Sequence, residues 1–230
     1  MSGTYTRKAP LMTPTLTTST APSVARFPRD PRTLLACGAA AGPLFLAVGL
    51  VLGLADDSFS FGRNALSQLS LGDNGWIHCG VFLVTGALMC AGAVGIRQVL
   101  RGTTAGTWVP RLVAALGVSF ALNSVFRADP GAGYPAGTPV GPPPTMSAHG
   151  AVHLLAAGAG FLALCVAFVI LARHFAATGR RGWALACRIV PVGVLAGFAA
   201  SSVSVLAFSA GAALGLGGLT AVAVHLRRTI

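Results

Sequence analysis

The chain has 230 residues, of which 54% are hydrophobic and only 9% charged, and its net charge is +11. A soluble domain of this size cannot hide so much apolar surface, whereas lipid solvates it, so the composition excludes an ordinary soluble fold and implies an all-α polytopic membrane protein. Nucleic-acid binding is excluded too: the basic residues sit in short clusters between apolar runs, where topology and anionic lipid account for them, with no groove-sized patch of interleaved aromatics.

Residues 1–32 are rich in Thr, Pro and Ser and poor in large apolar side chains, which predicts a disordered cytoplasmic tail. Arg26, Arg29 and Arg32 lead into the first apolar run, Leu34–Leu54. That run is longer than a usual signal core and more spans follow it, so a retained signal-anchor helix is expected. The further spans are Trp76–Ile96, Val109–Phe126, Ala148–Ala172, Ala184–Val205 and Ala210–Leu226. Together they make a transmembrane domain of six helices over residues 33–228, with the last turn expected at Phe208-Ser209-Ala210-Gly211.

Charge supports six spans over five. One side collects Arg26, Arg29, Arg32, Arg97, Arg101, Arg111, Arg173, Arg180, Arg181, Arg188, Arg227 and Arg228, while the other has only Arg63 and Arg127. The positive-inside rule then places both termini in the cytoplasm of a cell whose plasma membrane the chain spans several times. Five spans would send Arg227 and Arg228 to the wrong side.

Small residues recur at Gly38/Gly42, Gly49/Gly53, Gly193/Gly197 and Gly211/Gly215. Such faces let helix backbones approach, within one chain or across a homodimer. Pro43 and Pro191 fall inside spans and are expected to kink them. Cys37, Cys79, Cys90, Cys165 and Cys187 show no C-x-x-C spacing and are expected as small packing residues.

With only five acidic residues and no glutamate, ionisable groups away from the basic side point toward a site. Two long loops, Asp56–Gly75 and Arg127–Ser147, lie on the outer side. The first carries Leu66, Leu69 and Leu71 in a pattern that predicts packing back onto the bundle; the Pro and Gly content of the second predicts partial disorder. His78, Asn123, Arg127, Asp129, His149, His153 and the serines Ser201, Ser202 and Ser204 all fall at outer span ends, so a shared polar pocket is expected there.

Arg63-Asn64-Ala65-Leu66-Ser67-Gln68-Leu69, Phe126-Arg127-Ala128-Asp129-Pro130 and His149-Gly150-Ala151-Val152-His153 resemble, in order and in membrane side, the motifs of the bacterial six-span family catalogued as domain of unknown function 998. The resemblance covers residues 34–228. It departs at Gln68, where the family often has an acidic residue, and in the length of the second loop. It implies a six-helix integral membrane protein and no established activity.

His149 and His153, four residues apart on one helix face, match the spacing by which a helix presents two imidazoles to one metal. Zinc needs a third protein ligand, for which Asp129 or His78 is available. A metal-activated water, with Ser67 positioning a substrate, would make a membrane hydrolase. Hydrogen bonding of the histidines to loop carbonyls and to Asp129 accounts for the same residues without a metal. Arg63, Asn64, Asn123 and Arg127 are the candidates for holding a lipid head group or small anion. No acidic residue lies at mid-depth, which argues against coupled transport.

Overall fold

A computed structural model of the chain describes residues 1–4, 30–141 and 145–230. Most of the expected N-terminal tail therefore lies outside the described residues. Among them the chain forms six helices: α1 (Pro31–Leu54), α2 (Gly75–Val99), α3 (Thr104–Val125), α4 (Ala148–Ala177), α5 (Arg181–Ala199) and α6 (Val205–Arg228), with a 3-10 helix at Leu66–Leu71. All six are long and apolar enough to cross a membrane, and the all-α bundle of six spans is the architecture that the apolar runs imply.

Helix starts follow local capping. The Asp30 carboxylate accepts from the N–H groups of Arg32 and Thr33 with Pro31 in the first turn, so α1 begins two residues before the predicted domain edge. Thr103 caps α3 by accepting from Gly106 N–H, which moves that start back from the predicted Val109 and leaves Pro110 inside the helix. Ser147 caps α4 through Gly150 N–H, and Ser204 caps α6 through Ala207 N–H.

That last cap corrects the predicted α5–α6 turn. The chain reverses at residues 200–204, and Phe208-Ser209-Ala210-Gly211 lies within α6. The turn runs through Ser201-Ser202-Val203, Ser204 caps the next helix, and Gly211 of α6 packs against Gly197 of α5.

Each helix packs on its neighbours in chain order, and α6 closes the ring against α1. The Thr220 hydroxyl donates to the Ala39 carbonyl at 3.1 Å across this closing seam. At its end the Arg32 guanidinium donates to the Ile230 backbone oxygen, so the N-terminus of α1 and the C-terminus of α6 share one end of the bundle. The opposite end carries the two long loops.

The small-residue pairs are used inside this ring. A side-chain carbon on Gly38 would lie 2.9 Å from the Gly92 Cα, one on Gly42 3.0 Å from the Leu216 carbonyl, and one on Gly197 3.0 Å from the Gly211 Cα. Gly49 is filled by Leu66 and Gly53 by Phe59 and Phe61. The glycine faces read as candidates for a homodimer are thus occupied within the chain. The outer faces are apolar, with Leu155 73%, Val192 67% and Leu162 58% exposed, as lipid contact requires. Exposed Trp76 at the loop end, and Trp108 at the other end with the Arg111 guanidinium over its ring, stand where interfacial aromatics are favoured.

The two loops fold together into a small cap. Leu69 and Tyr134 are buried with Phe59 in a core of their own. The second loop is ordered over residues 131–141, where Gly131 and Tyr134 bridge and Ala132 N–H donates to the Gly141 carbonyl. The disorder predicted from its Pro and Gly content is therefore overturned for this stretch; residues 142–144 lie outside the described residues. Composition misled because Gly133 and Gly137 supply the positive φ angles of tight turns.

Candidate functional site

Each helix contributes one phenylalanine to a tier of touching rings on the loop side of the bundle. Phe45 of α1 meets Phe82 of α2 at 4.9 Å and Phe120 of α3 at 5.0 Å between ring centroids. Phe120 reaches Phe161 of α4 at 6.5 Å, Phe161 reaches Phe198 of α5 at 5.1 Å, and Phe198 reaches Phe208 of α6 at 4.9 Å. Below this tier the ring is filled by packed apolar side chains that include Met89, Leu164, Phe168 and Leu219.

Against this tier lies a cavity of about 300 Å³. Phe45, Phe82, Phe120, Phe161 and Phe208 form its apolar wall, and Ser67, Gln68, Asn123, Asp129, His153 and Ser209 its polar rim. No residue of α5 lines it. Phe198 is the next-to-last residue of α5 and Phe208 the fourth of α6, so the α5–α6 hairpin ends almost at the aromatic tier. Neighbouring α4 is 30 residues long against 19 for α5, or about 45 Å against about 28 Å at 1.5 Å per residue. The excess of α4 stands beside a notch. Leu154 and Met146 line the cavity yet are 57% and 63% exposed, so the cavity reaches the bundle surface on that side.

The rim is built by short-range bonds. His153 Nδ1 lies 2.9 Å from the Phe126 carbonyl, which can only accept, so Nδ1 carries a proton and, in the neutral ring, Nε2 carries the lone pair. Asn123 is buried, and its Oδ1 has no hydrogen-bond partner. Asp129 accepts from the Ser147 N–H at 2.9 Å and the Ser147 hydroxyl at 2.5 Å. Its carboxylate lies so close over the first turn of α4 that a side-chain carbon on Gly150 would come within 2.1 Å of it. The glycine between the two histidines therefore makes room for the carboxylate, and the carboxylate braces a helix N-terminus where negative charge is favoured.

The predicted metal ligands do not assemble. His149 is exposed and packs on Phe126 at 5.3 Å, while His153 is buried and bonded to the backbone. His78 is fully buried between Phe45 and Phe82, outside the cavity lining, and neither ring nitrogen reaches a partner at hydrogen-bond geometry although the Leu66 backbone is near. Among the described residues no group of three His, Cys, Asp or Glu side chains could hold a metal ion. The His149/His153/Asp129 zinc site, with or without His78, fails because one helix face was shared only in register, while depth and neighbours send the two rings to different surroundings.

The predicted ligand-binding residues separate as well. Asn64 is buried, with Oδ1 accepting from Ser60 N–H and Nδ2 donating to the Ala132 carbonyl, so it stitches the two loops together. Gln68, at the position where an acid was expected, does the same from the rim: Oε1 accepts from Ala65 N–H and Nε2 donates to the Gly131 carbonyl. Arg127 is exposed and donates to the Ser70 carbonyl, and Arg63 is exposed on the cap. Neither lines the cavity. Ser201, Ser202 and Ser204 form the α5–α6 turn and are likewise absent from its wall. Of the residues proposed as a shared pocket, the structure brings together Ser67, Asn123, Asp129 and His153.

The family model described as Protein of unknown function (DUF998) matches residues 39–226. The chain belongs to this family. No curated protein and no solved structure matches it. The DUF998 match runs from α1 into α6 and takes in both loops, so the cap and the cavity lie within the family unit. The aromatic tier and Ser209 escaped the sequence reading, which followed polar residues. A phenylalanine in the loop-side part of several spans was the available signal.

Proposed function

We propose that this membrane protein binds an amphipathic, lipid-like molecule in the loop-end cavity, with its apolar part on the phenylalanine tier and its polar part at the rim. The observation that carries this reading is the exposure of two cavity-lining residues, Leu154 and Met146, on the side where the α5–α6 hairpin stops short. A cavity with an apolar wall, a few polar groups and a side opening suits a ligand that arrives from the bilayer. A small anion fits poorly, because Arg63 and Arg127 lie away from the lining.

The loop end faces the cell exterior in this reading, and both termini face the cytoplasm of the plasma membrane. Arg97, Arg101, Arg173, Arg180 and Arg228 cluster at the terminus end, while Asp56, Asp57, Asp73 and Asp129 are at the loop end, a distribution that the positive-inside rule orients. A fluorescent-protein fusion after Ile230 should fluoresce in cells; an alkaline phosphatase fusion active at that position would reverse the orientation.

Lipid extracted from purified protein tests the binding. Ala157 lines the cavity, so Ala157→Trp should fill it and remove a tightly held lipid that the parent protein retains. Equal amounts of the same lipid in a folded Ala157→Trp protein would overturn the proposal.

A further inference from the structure

We infer that the polar part of the cavity's ligand is a hydrogen-bond donor, a hydroxyl carried on an apolar chain, and that Asn123 and His153 select it; this rests on the lipid-binding reading above. The rim is polar but uncharged apart from Asp129, and the Ser67 and Ser209 hydroxyls on it can each donate or accept. Asn123 lies on the lining at 3% exposure, and its Oδ1, itself sealed from the cavity, has no hydrogen-bond partner. A buried amide oxygen without a partner is unfavourable, and turning the amide to meet a ligand hydroxyl removes that penalty. His153 adds a second acceptor. Its Nδ1 proton is committed to the Phe126 carbonyl, which leaves Nε2 as the free polar atom of a ring that also lines the cavity.

The charges around the rim point the same way. Asp129 is the charged residue of the lining, and both its oxygens already accept from Ser147. No arginine lines the cavity, and the Arg127 guanidinium is directed to the Ser70 carbonyl. A carboxylate or phosphate head group would therefore meet a like charge at Asp129 and only neutral hydroxyl donors, with no cation to offset its desolvation. A hydroxyl can donate to Asn123 Oδ1 or to His153 Nε2 while its chain lies against the phenylalanine tier. The ligand class is a single-chain lipid alcohol or a glycerolipid with a free hydroxyl.

The test compares ligands of one chain length on the detergent-solubilised full chain. Binding of 1-dodecanol, dodecane and dodecanoate is measured at pH 8 by competition against a co-purified or fluorescent lipid probe. The alcohol should bind best and the carboxylate worst. Asn123→Leu, close in size, should weaken the alcohol by about tenfold, a factor worth about 1.4 kcal/mol, and leave dodecane unchanged. Dodecanoate binding as well as dodecanol to the parent protein would overturn the inference without any variant. So would an alcohol affinity untouched by Asn123→Leu. In both cases loss of binding in Ala157→Trp would preserve the wider lipid-binding reading. Failure of all three ligands to displace the probe, with Ala157→Trp indistinguishable from the parent, would remove both.

Discussion

The Tyr134 phenol donates to Asp56 Oδ2 at 2.9 Å, joining two loops 78 residues apart in the chain. Tyr134 is 1% exposed, and its ring packs edge-on against Phe59 at 5.2 Å. This contact and the Asn64 and Gln68 bonds make one body of the two loops above the cavity.

Removing the phenol alone should loosen the cap and spare the bundle. Tyr134→Phe keeps the packing and leaves a part-buried carboxylate short of one donor, a loss of about 1.5–3 kcal/mol for a hydrogen bond to a charged group. Limited proteolysis within residues 57–72 or 131–141 should accelerate, with helix content by circular dichroism unchanged. Identical cleavage rates would remove the clasp from this account.

Acid should open the same cap. The Ser58 hydroxyl, and after it the Tyr134 phenol, hold Asp56 below its ordinary value of 3.8, against an opposing effect of burial. A depressed carboxyl pKa contributes stability that is complete above the unfolded value and is lost as pH falls through the folded one. Hydrogen exchange in the two loops should therefore be flat from pH 7 to about 5, once corrected for intrinsic rate, and rise in protection loss below about 4. Tyr134→Phe, which removes one of the bonds holding that pKa down, should make the acid-dependent loss of protection smaller.

Two glycines of α4 should respond oppositely to alanine. At Gly150 the added carbon would lie 2.1 Å from the Asp129 carboxylate, whereas at Gly158 it meets nothing within 4 Å. Gly150→Ala should destabilise the protein by about 1–3 kcal/mol through overpacking. Gly158→Ala should be neutral or stabilise by about 0.5–1 kcal/mol, the usual gain on replacing a helical glycine. Thermal unfolding in detergent ranks the pair, and equal midpoints would contradict the placement of Asp129.

The packing of α2 on α1 makes a similar prediction at Gly92. A carbon there would lie 2.6 Å from the Gly38 Cα, a backbone contact that cannot swing aside. Gly92→Ala should lower the unfolding temperature markedly, while Gly80→Ala, which meets nothing within 4 Å, should leave it near the parent value.

The six apolar runs and the arginine distribution made the bundle legible, because span length and hydropathy are local properties. The packing of the first loop back onto the bundle was legible through Leu66, Leu69 and Leu71, of which Leu66 reaches the main core and Leu69 is buried in the cap, although its 3-10 form was not. The site was legible only in part. Ser67, Asn123, Asp129 and His153 do converge, but the roles of Asp129 and Asn64 depend on Ser147 and Ala132, partners that no spacing rule identifies. Counting scarce charges also drew attention to Arg63 and Arg127, which sit on the surface of the cap. The phenylalanine tier forms through contacts between different helices, which spacing along the chain does not reveal.

The unequal lengths of α4 and α5 bear on which half of the bilayer the protein can serve. The notch lies at the loop end, and beneath the aromatic tier Met89, Leu164, Phe168 and Leu219 fill the interior down toward the arginine-rich end. On the proposed lipid-binding reading, a molecule entering sideways would trade places with lipids of a single leaflet and meet a stopper before the other. Such a protein would sequester or present its guest within one monolayer, and carrying it across would require the stopper itself to part.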